Sequence, residues 1–236
     1  MPPKRTAPEK HVAGLVKFFS KPEYLDDFLR GRLYCNTPQF YRDSLAPGVS
    51  DDFEACIGYF NRKRHSTPPN VIIDGEPLNL SGTETLTVFG DADRYDAHLQ
   101  CWFAVDRPRD FGSGMVALKS DLARVRSESG PLSVFLPAGN LEAYQCLLDE
   151  AVPDGFLGSH VQYTDDWRVR GMFRKRTAFS YQREYRFAIG RVEKGHLAHR
   201  VLQTSQLEHL VEVCPNLSVR NGGEIVCILP AAATAQ

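Results

Sequence analysis

No apolar run in this chain approaches the 18 residues that a membrane-crossing helix requires. HExxH, a Walker loop, GxGxxG and GxSxG are all missing, which removes the usual signatures of zinc hydrolases, P-loop and dinucleotide folds and serine hydrolases. The six cysteines (Cys35, Cys56, Cys101, Cys146, Cys214, Cys227) include no CxxC pair. A structural zinc site is usually seeded by such a pair, so no metal is expected. Apolar settings such as LQCWF and IVCIL instead suit buried free thiols in a reducing cytoplasm, where the chain is expected to reside. A net charge of only −1 leaves local patches, not a global field, to attract nucleic acid. The opening MPPKRTAPEK has no apolar core and predicts a disordered arm over 1–11, not a secretory signal. There is no internal repeat, low-complexity linker or break in composition. One domain over 12–230 is therefore expected, followed by a loose tail over 231–236.

What the chain does have is size and pattern. Its 236 residues, 42% apolar and 24% charged, are enough to bury a sizeable core. VAGLVKFF reads as a strand, followed by a helix in KPEYLDDFL with Ser20 as N-cap, then Gly31 and the short strand RLYC. Thr37 and Pro38 start another short helix, TPQFYRD. Further strands are expected over 55–60, 70–73, 84–89, 98–105, 114–118, 155–163, 179–190, 197–202 and 224–229, and in PLSVFLP. Ser120 is placed to cap a helix through Glu128, and LEAYQCLLDEAV is the strongest amphipathic segment. Strands outnumber helices and do not alternate with long ones. The pattern predicts an α+β class with β-rich mixed sheets and short helices.

The most informative stretch is TAFSYQREYRFAI, residues 177–189. Gln182, Glu184 and Arg186 share one parity, while Tyr181, Arg183, Tyr185 and Phe187 share the other, the alternation of a half-buried strand. On such a strand Gln182 and Glu184 project side by side, Cβ to Cβ roughly 7 Å apart. A carboxylate beside an amide, flanked by Arg183 and Arg186, reads as a catalytic or ligand-orienting group, or else as an exposed Glu–Arg pair. Just upstream, Arg168, Arg170, Arg174, Lys175 and Arg176 interleave with Trp167 and Phe173. That composition suits phosphate contact and base stacking, or a solvated surface paired with Asp165 and Asp166. Asp51, Asp52 and Glu54 form an acidic knot that suits a solvated loop more than a Mg²⁺ site.

The block LVKFFSKPEYLDDFLRGRLYCNT resembles the opening of the ADP-ribosyltransferase-like fold, with its basic first strand, short helix, Gly turn and second strand. Gln182-Arg183-Glu184 is similar to the Gln-x-Glu that this family carries on a late strand. LYCNTPQFYRD, LQCWFAV and FSYQREYR also resemble elements shared by a group of phage and bacterial proteins. The resemblance implies NAD as cofactor, Glu184 as the catalytic carboxylate and Gln182 as the acceptor-orienting residue. It further implies Lys17 and Arg42 as cofactor or phosphate contacts, and Tyr34 or Tyr41, with Phe40 near them, as the aromatic stacked on nicotinamide. The acceptor would be a nucleic acid or a protein in a phage or bacterial conflict setting. Breaking the nicotinamide–ribose bond develops positive charge at the ribose, which a nearby carboxylate stabilises. Two features depart from the family: Lys17 stands where His or Arg is expected, and no Ser-Thr-Ser motif occurs mid-chain. The alternative is a non-enzymatic module that docks on nucleic acid or a protein complex through the basic 168–186 strip.

Overall fold

The computed structural model describes residues 11–45, 51–89, 97–107, 109–166, 171–192, 198–214, 217–221 and 224–229. His11 apart, the expected arm and tail lie outside these residues. The fold is α+β and β-rich, with open sheets and short helices. Among the described residues no helix is long and apolar enough to cross a membrane.

Its centre is a six-stranded sheet in the order Glu212–Val213, Leu132–Pro137, Val12–Phe19, His98–Asp106, Glu184–Ile189, Phe156–His160. Every neighbouring pair is antiparallel. His98–Asp106 lies inside the sheet because HLQCWFAV has apolar residues on both parities, and both faces are covered. On one face Leu15, Trp102, Ala104, Tyr185 and Phe187 meet Leu25 and Phe28 of helix Pro22–Leu29 and Tyr144 and Leu148 of helix Leu141–Ala151. On the other, Val16, Phe103 and Val105 meet Leu118 and Leu122 of helix Met115–Ser129.

Three local expectations need correction. The strand expected over 114–118 is the first turn of the Met115–Ser129 helix, so Ser120 lies inside that helix and does not cap it. Gly112–Gly114 forms a 3₁₀ turn that leads into it, and Leu118, Leu122 and Val125 fall on the one face that packs on the sheet. Helix Pro22–Leu29 starts from Lys21, not Ser20, with Pro22 in its first turn. Finally, the strand expected over 179–190 begins only at Glu184: Thr177–Gln182 is a 3₁₀ helix, and Arg183 adopts left-handed backbone at φ 43°. That conformation is held from outside the segment. The Arg183 guanidinium is paired with Asp110 and, at 2.7 Å, with Asp121, while the Tyr181 hydroxyl donates to Glu128 at 2.8 Å.

The sheet parts along one seam. Strands Val12–Phe19 and His98–Asp106 stay paired as far as Val16 opposite Phe103. Beyond that point the first strand continues against Leu132–Pro137, ending with Phe19 opposite Leu132, and the central strand continues against Glu184–Ile189. Asn36, just after strand Arg32–Cys35, takes the vacated place by exchanging backbone hydrogen bonds of 3.1 and 2.7 Å with Leu99. Gly31, at φ +83°, lies against the 204–205 backbone, where the Thr204 amide donates to its carbonyl at 2.9 Å. A Cβ there would stand 2.5 Å from the carbonyl oxygens of Thr204 and Ser205. Across the opened seam, Lys17 Nζ donates to the Cys101 carbonyl at 3.1 Å.

Candidate functional site

A cleft of about 610 Å³ opens at this seam, within the size range of small-molecule and cofactor sites. Lys17 and Phe19 come from the first strand, and Gln100, Cys101 and Trp102 from the stretch of the central strand that the first strand no longer pairs with. Tyr24, Tyr34 and Phe40 stand at the cleft as exposed aromatic rings, the usual surfaces for stacking a flat ligand ring. Tyr34 already stacks on His199, ring centres 5.4 Å apart. Lys175, Gln182, Glu184 and Arg186 complete the lining.

Glu184 is the hub of a buried charge network. One carboxylate oxygen receives Lys175 Nζ at 2.6 Å and the other receives Arg186 Nε at 2.6 Å. Arg186 continues into a two-pronged pair with Glu54 at 2.5 and 2.8 Å, and Lys175 also donates to Gln182 Oε1 at 2.7 Å. Two carboxylates thus face two cations, which is how charges survive burial. Burial by itself pushes the Glu184 carboxyl up, but attraction from Arg186 and Lys175 overcomes it and brings the pKa down to about 2. Arg186 and Lys175 are likewise held above their ordinary values, burial opposing and the neighbouring carboxylates prevailing.

The acid stability of the protein follows from that shift. A carboxylate whose folded pKa (about 2) lies below its ordinary value of 4.5 contributes stability that is fully present above 4.5 and lost as pH falls toward 2. The contribution is on the order of 3 kcal/mol. Asp51 acts in the opposite sense. Burial, then Glu54 beside it, raises its pKa, so the stability linked to it declines as pH rises. Urea unfolding at pH 7, 4.5 and 3 is expected to show a steep loss below 4.5 in the native chain and a shallower one in Glu184→Gln. Parallel profiles would remove Glu184 as the source.

Of the residues named from sequence, Lys17, Tyr34, Tyr41, Lys175, Gln182 and Glu184 all line this one cleft. Gln182 and Glu184 do not share a strand face as expected, since the left-handed Arg183 separates a 3₁₀ turn from the strand. They meet instead at Lys175 Nζ, which both hold. Arg42 is absent from the lining. Its guanidinium donates to the Glu54 carbonyl at 2.8 Å and to Gln39, and stacks over Phe89. Arg42 therefore braces the 51–54 segment.

The basic strip is not one exposed surface. Lys175, Arg183 and Arg186 are turned inward because Glu184, Asp110, Asp121 and Glu54 are there to compensate them. Arg176 stays partly exposed, pairing with Asp51 at 3.6 Å and stacking over Phe53 and Phe179. Arg174 donates to the carbonyl of Phe173 at 3.0 Å. Arg168 and Arg170 lie outside the described residues.

Sequence reasoning missed Glu54, which it placed in a solvated loop and which is fully buried with Asp51 beside it. The available signal was Arg186, a guanidinium on a strand between Tyr185 and Phe187, which demands a carboxylate from elsewhere. Tyr163 was missed too; its hydroxyl accepts from the Glu184 amide at 2.8 Å and fixes the start of the strand. Gln100 was read only as part of an apolar strand, yet it is 1% exposed and its amide faces hydrogen-bonding choices of its own. No protein-family model, curated protein or solved structure matches this chain.

Proposed function

We propose that this protein is an NAD-dependent ADP-ribosyltransferase-like enzyme whose cofactor cleft is the opening between the parted strands. One observation carries the reading: Lys17, Tyr34, Tyr41, Gln182 and Glu184, far apart in the chain, converge on a single cleft. In this role Tyr34 and Phe40 stack the flat rings of the dinucleotide, and Lys17 meets its phosphates. Glu184, ionised at any physiological pH, stabilises the positive charge that develops at the ribose as nicotinamide departs. Nicotinamide leaves with the bonding pair, and an acceptor oxygen or nitrogen, losing its proton, attacks the ribose carbon. Gln182, with Oε1 anchored on Lys175, is oriented to steady that acceptor.

The test is nicotinamide release from NAD by the purified protein, with and without cell lysate, and with labelled NAD to trap the acceptor. Release that depends on lysate, with label transferred to a macromolecule, is the expected result. Absence of both NAD turnover and NAD binding sinks the reading.

A second reading draws on a different observation: both Glu184 oxygens are already engaged by cations. If they stay engaged when ligand binds, Glu184 is a strut and the protein is a non-enzymatic binding module. It then binds ligand without turnover.

A further inference from the structure

Gln100 projects from the central strand on the same face as Trp102 and Ala104. Lys17 lies on that face too, two residues along from Leu15, which stands opposite Ala104. The Gln100 amide is fixed in its orientation. Its Oε1 accepts from Trp102 Nε1 at 3.2 Å and from the Tyr144 hydroxyl at 2.6 Å. Indole N–H can only donate, so oxygen and nitrogen of the amide are not interchangeable here. Nε2 is therefore turned away from Trp102 and Tyr144. It is buried, and among the described residues no acceptor reaches it.

Lys17 presents a matching deficit. Its Nζ donates to the Cys101 carbonyl and sits 5.6 Å from the centre of the Trp102 ring, so Trp102 links it to Gln100. No carboxylate among the described residues pairs with it. The two that line the cleft are held elsewhere, Glu184 by Lys175 and Arg186 and Glu128 by Arg124 and Tyr181. Burial, the largest influence on Lys17, makes its charge costly in the absence of an anion.

We propose that Gln100 Nε2 and Lys17 Nζ together form an oxyanion clamp at the seam, taking a phosphate or carboxylate group of the ligand. The clamp rests on the reading of this cleft as the ligand site but not on transferase chemistry. It adds Gln100, a neutral donor, to the cation already assigned there. An oxyanion supplies acceptors to both groups at once and removes two buried deficits in one step. A cationic ligand head would meet only donors.

Calorimetric titration with inorganic pyrophosphate, ADP and benzoate tests the clamp and separates a phosphate from a carboxylate source. Two variants are informative. Gln100→Glu keeps the oxygen that serves Trp102 and Tyr144 but replaces the donor with an acceptor, and Lys17→Met keeps the apolar stem. Binding of at least one anion, weakened tenfold or more in each variant while a cooperative unfolding transition is retained, is the expected result. If Gln100→Glu does not fold, Lys17→Met together with Gln100→Met decides in the same way. No binding of any of the three anions, or equal binding in the variants, overturns the clamp. NAD turnover, measured on the native protein and on the Gln100 variants, separates this from the enzymatic reading. Anion binding retained where native protein shows no NAD turnover keeps the clamp and removes the transferase, whereas NAD turnover indifferent to Gln100 does the reverse.

Discussion

Glu184→Gln is expected to lower nicotinamide release by 10²- to 10³-fold, a loss of about 3–4 kcal/mol of transition-state stabilisation. Glutamine preserves shape and keeps one oxygen for Lys175 or Arg186, but it loses the charge and turns an N–H donor toward the other cation. In the proposed transferase the requirement is for a negative carboxylate close to the ribose when its positive charge develops, which an amide does not meet. The native network balances two carboxylates against two cations, and the variant leaves it with one charge too many. Some loss of stability therefore accompanies the loss of activity. The two are separated by measuring release per folded molecule, with the folded fraction taken from circular dichroism in the same buffer. Release per folded molecule that is unchanged would make Glu184 a structural strut.

The largest stability effect is expected at Arg186. Arg186→Met leaves Glu54 without either prong of its pair and removes one of the two cations from Glu184, all in a fully buried setting. Breaking a buried pair from one side costs about 3–5 kcal/mol, because the charges left behind have lost their compensation. The combined change Glu54→Gln with Arg186→Met costs less than the sum of the two single changes, since it removes both ends of the pair and leaves Glu184 with Lys175. Urea denaturation of the two single variants and the double variant measures that coupling. Additive losses, or a loss under 1 kcal/mol for Arg186→Met, would mean that the network is compensated by solvent and does not hold the 51–54 segment to the sheet.

Much of the framework was legible because it is written locally. The short apolar runs VAGLVKFF, HLQCWFAV and LSVFLP are strands, LEAYQCLLDEA is a helix, and Thr37 caps a helix by accepting from the Phe40 amide, as the Thr-Pro pair suggests. The misread segments are those in which distant residues overrule local preference. Alternation across Tyr181 and Arg183 looks like strand, but Asp110, Asp121 and Glu128 hold that segment as a 3₁₀ turn ending in a left-handed residue. The DDFE run looks solvated, but Arg186 draws Glu54 inside across 132 residues of sequence.

The sequence by itself determined which segments form strands and which form helices, since hydrophobic period and turn chemistry act over a few neighbouring residues. It also singled out Gln182 and Glu184 from the strand pattern, and Lys17 through the family resemblance. Only the tertiary structure decided that the first and central strands part after Val16, that Asn36 fills the place beside Leu99, and that a cleft opens where Lys17, Tyr34, Tyr41, Gln182 and Glu184 meet. It alone decided which charges line the cleft and which face each other. Burial makes an uncompensated charge too costly to leave unpaired, and the partner that compensates it is chosen by proximity in space, which no local pattern records.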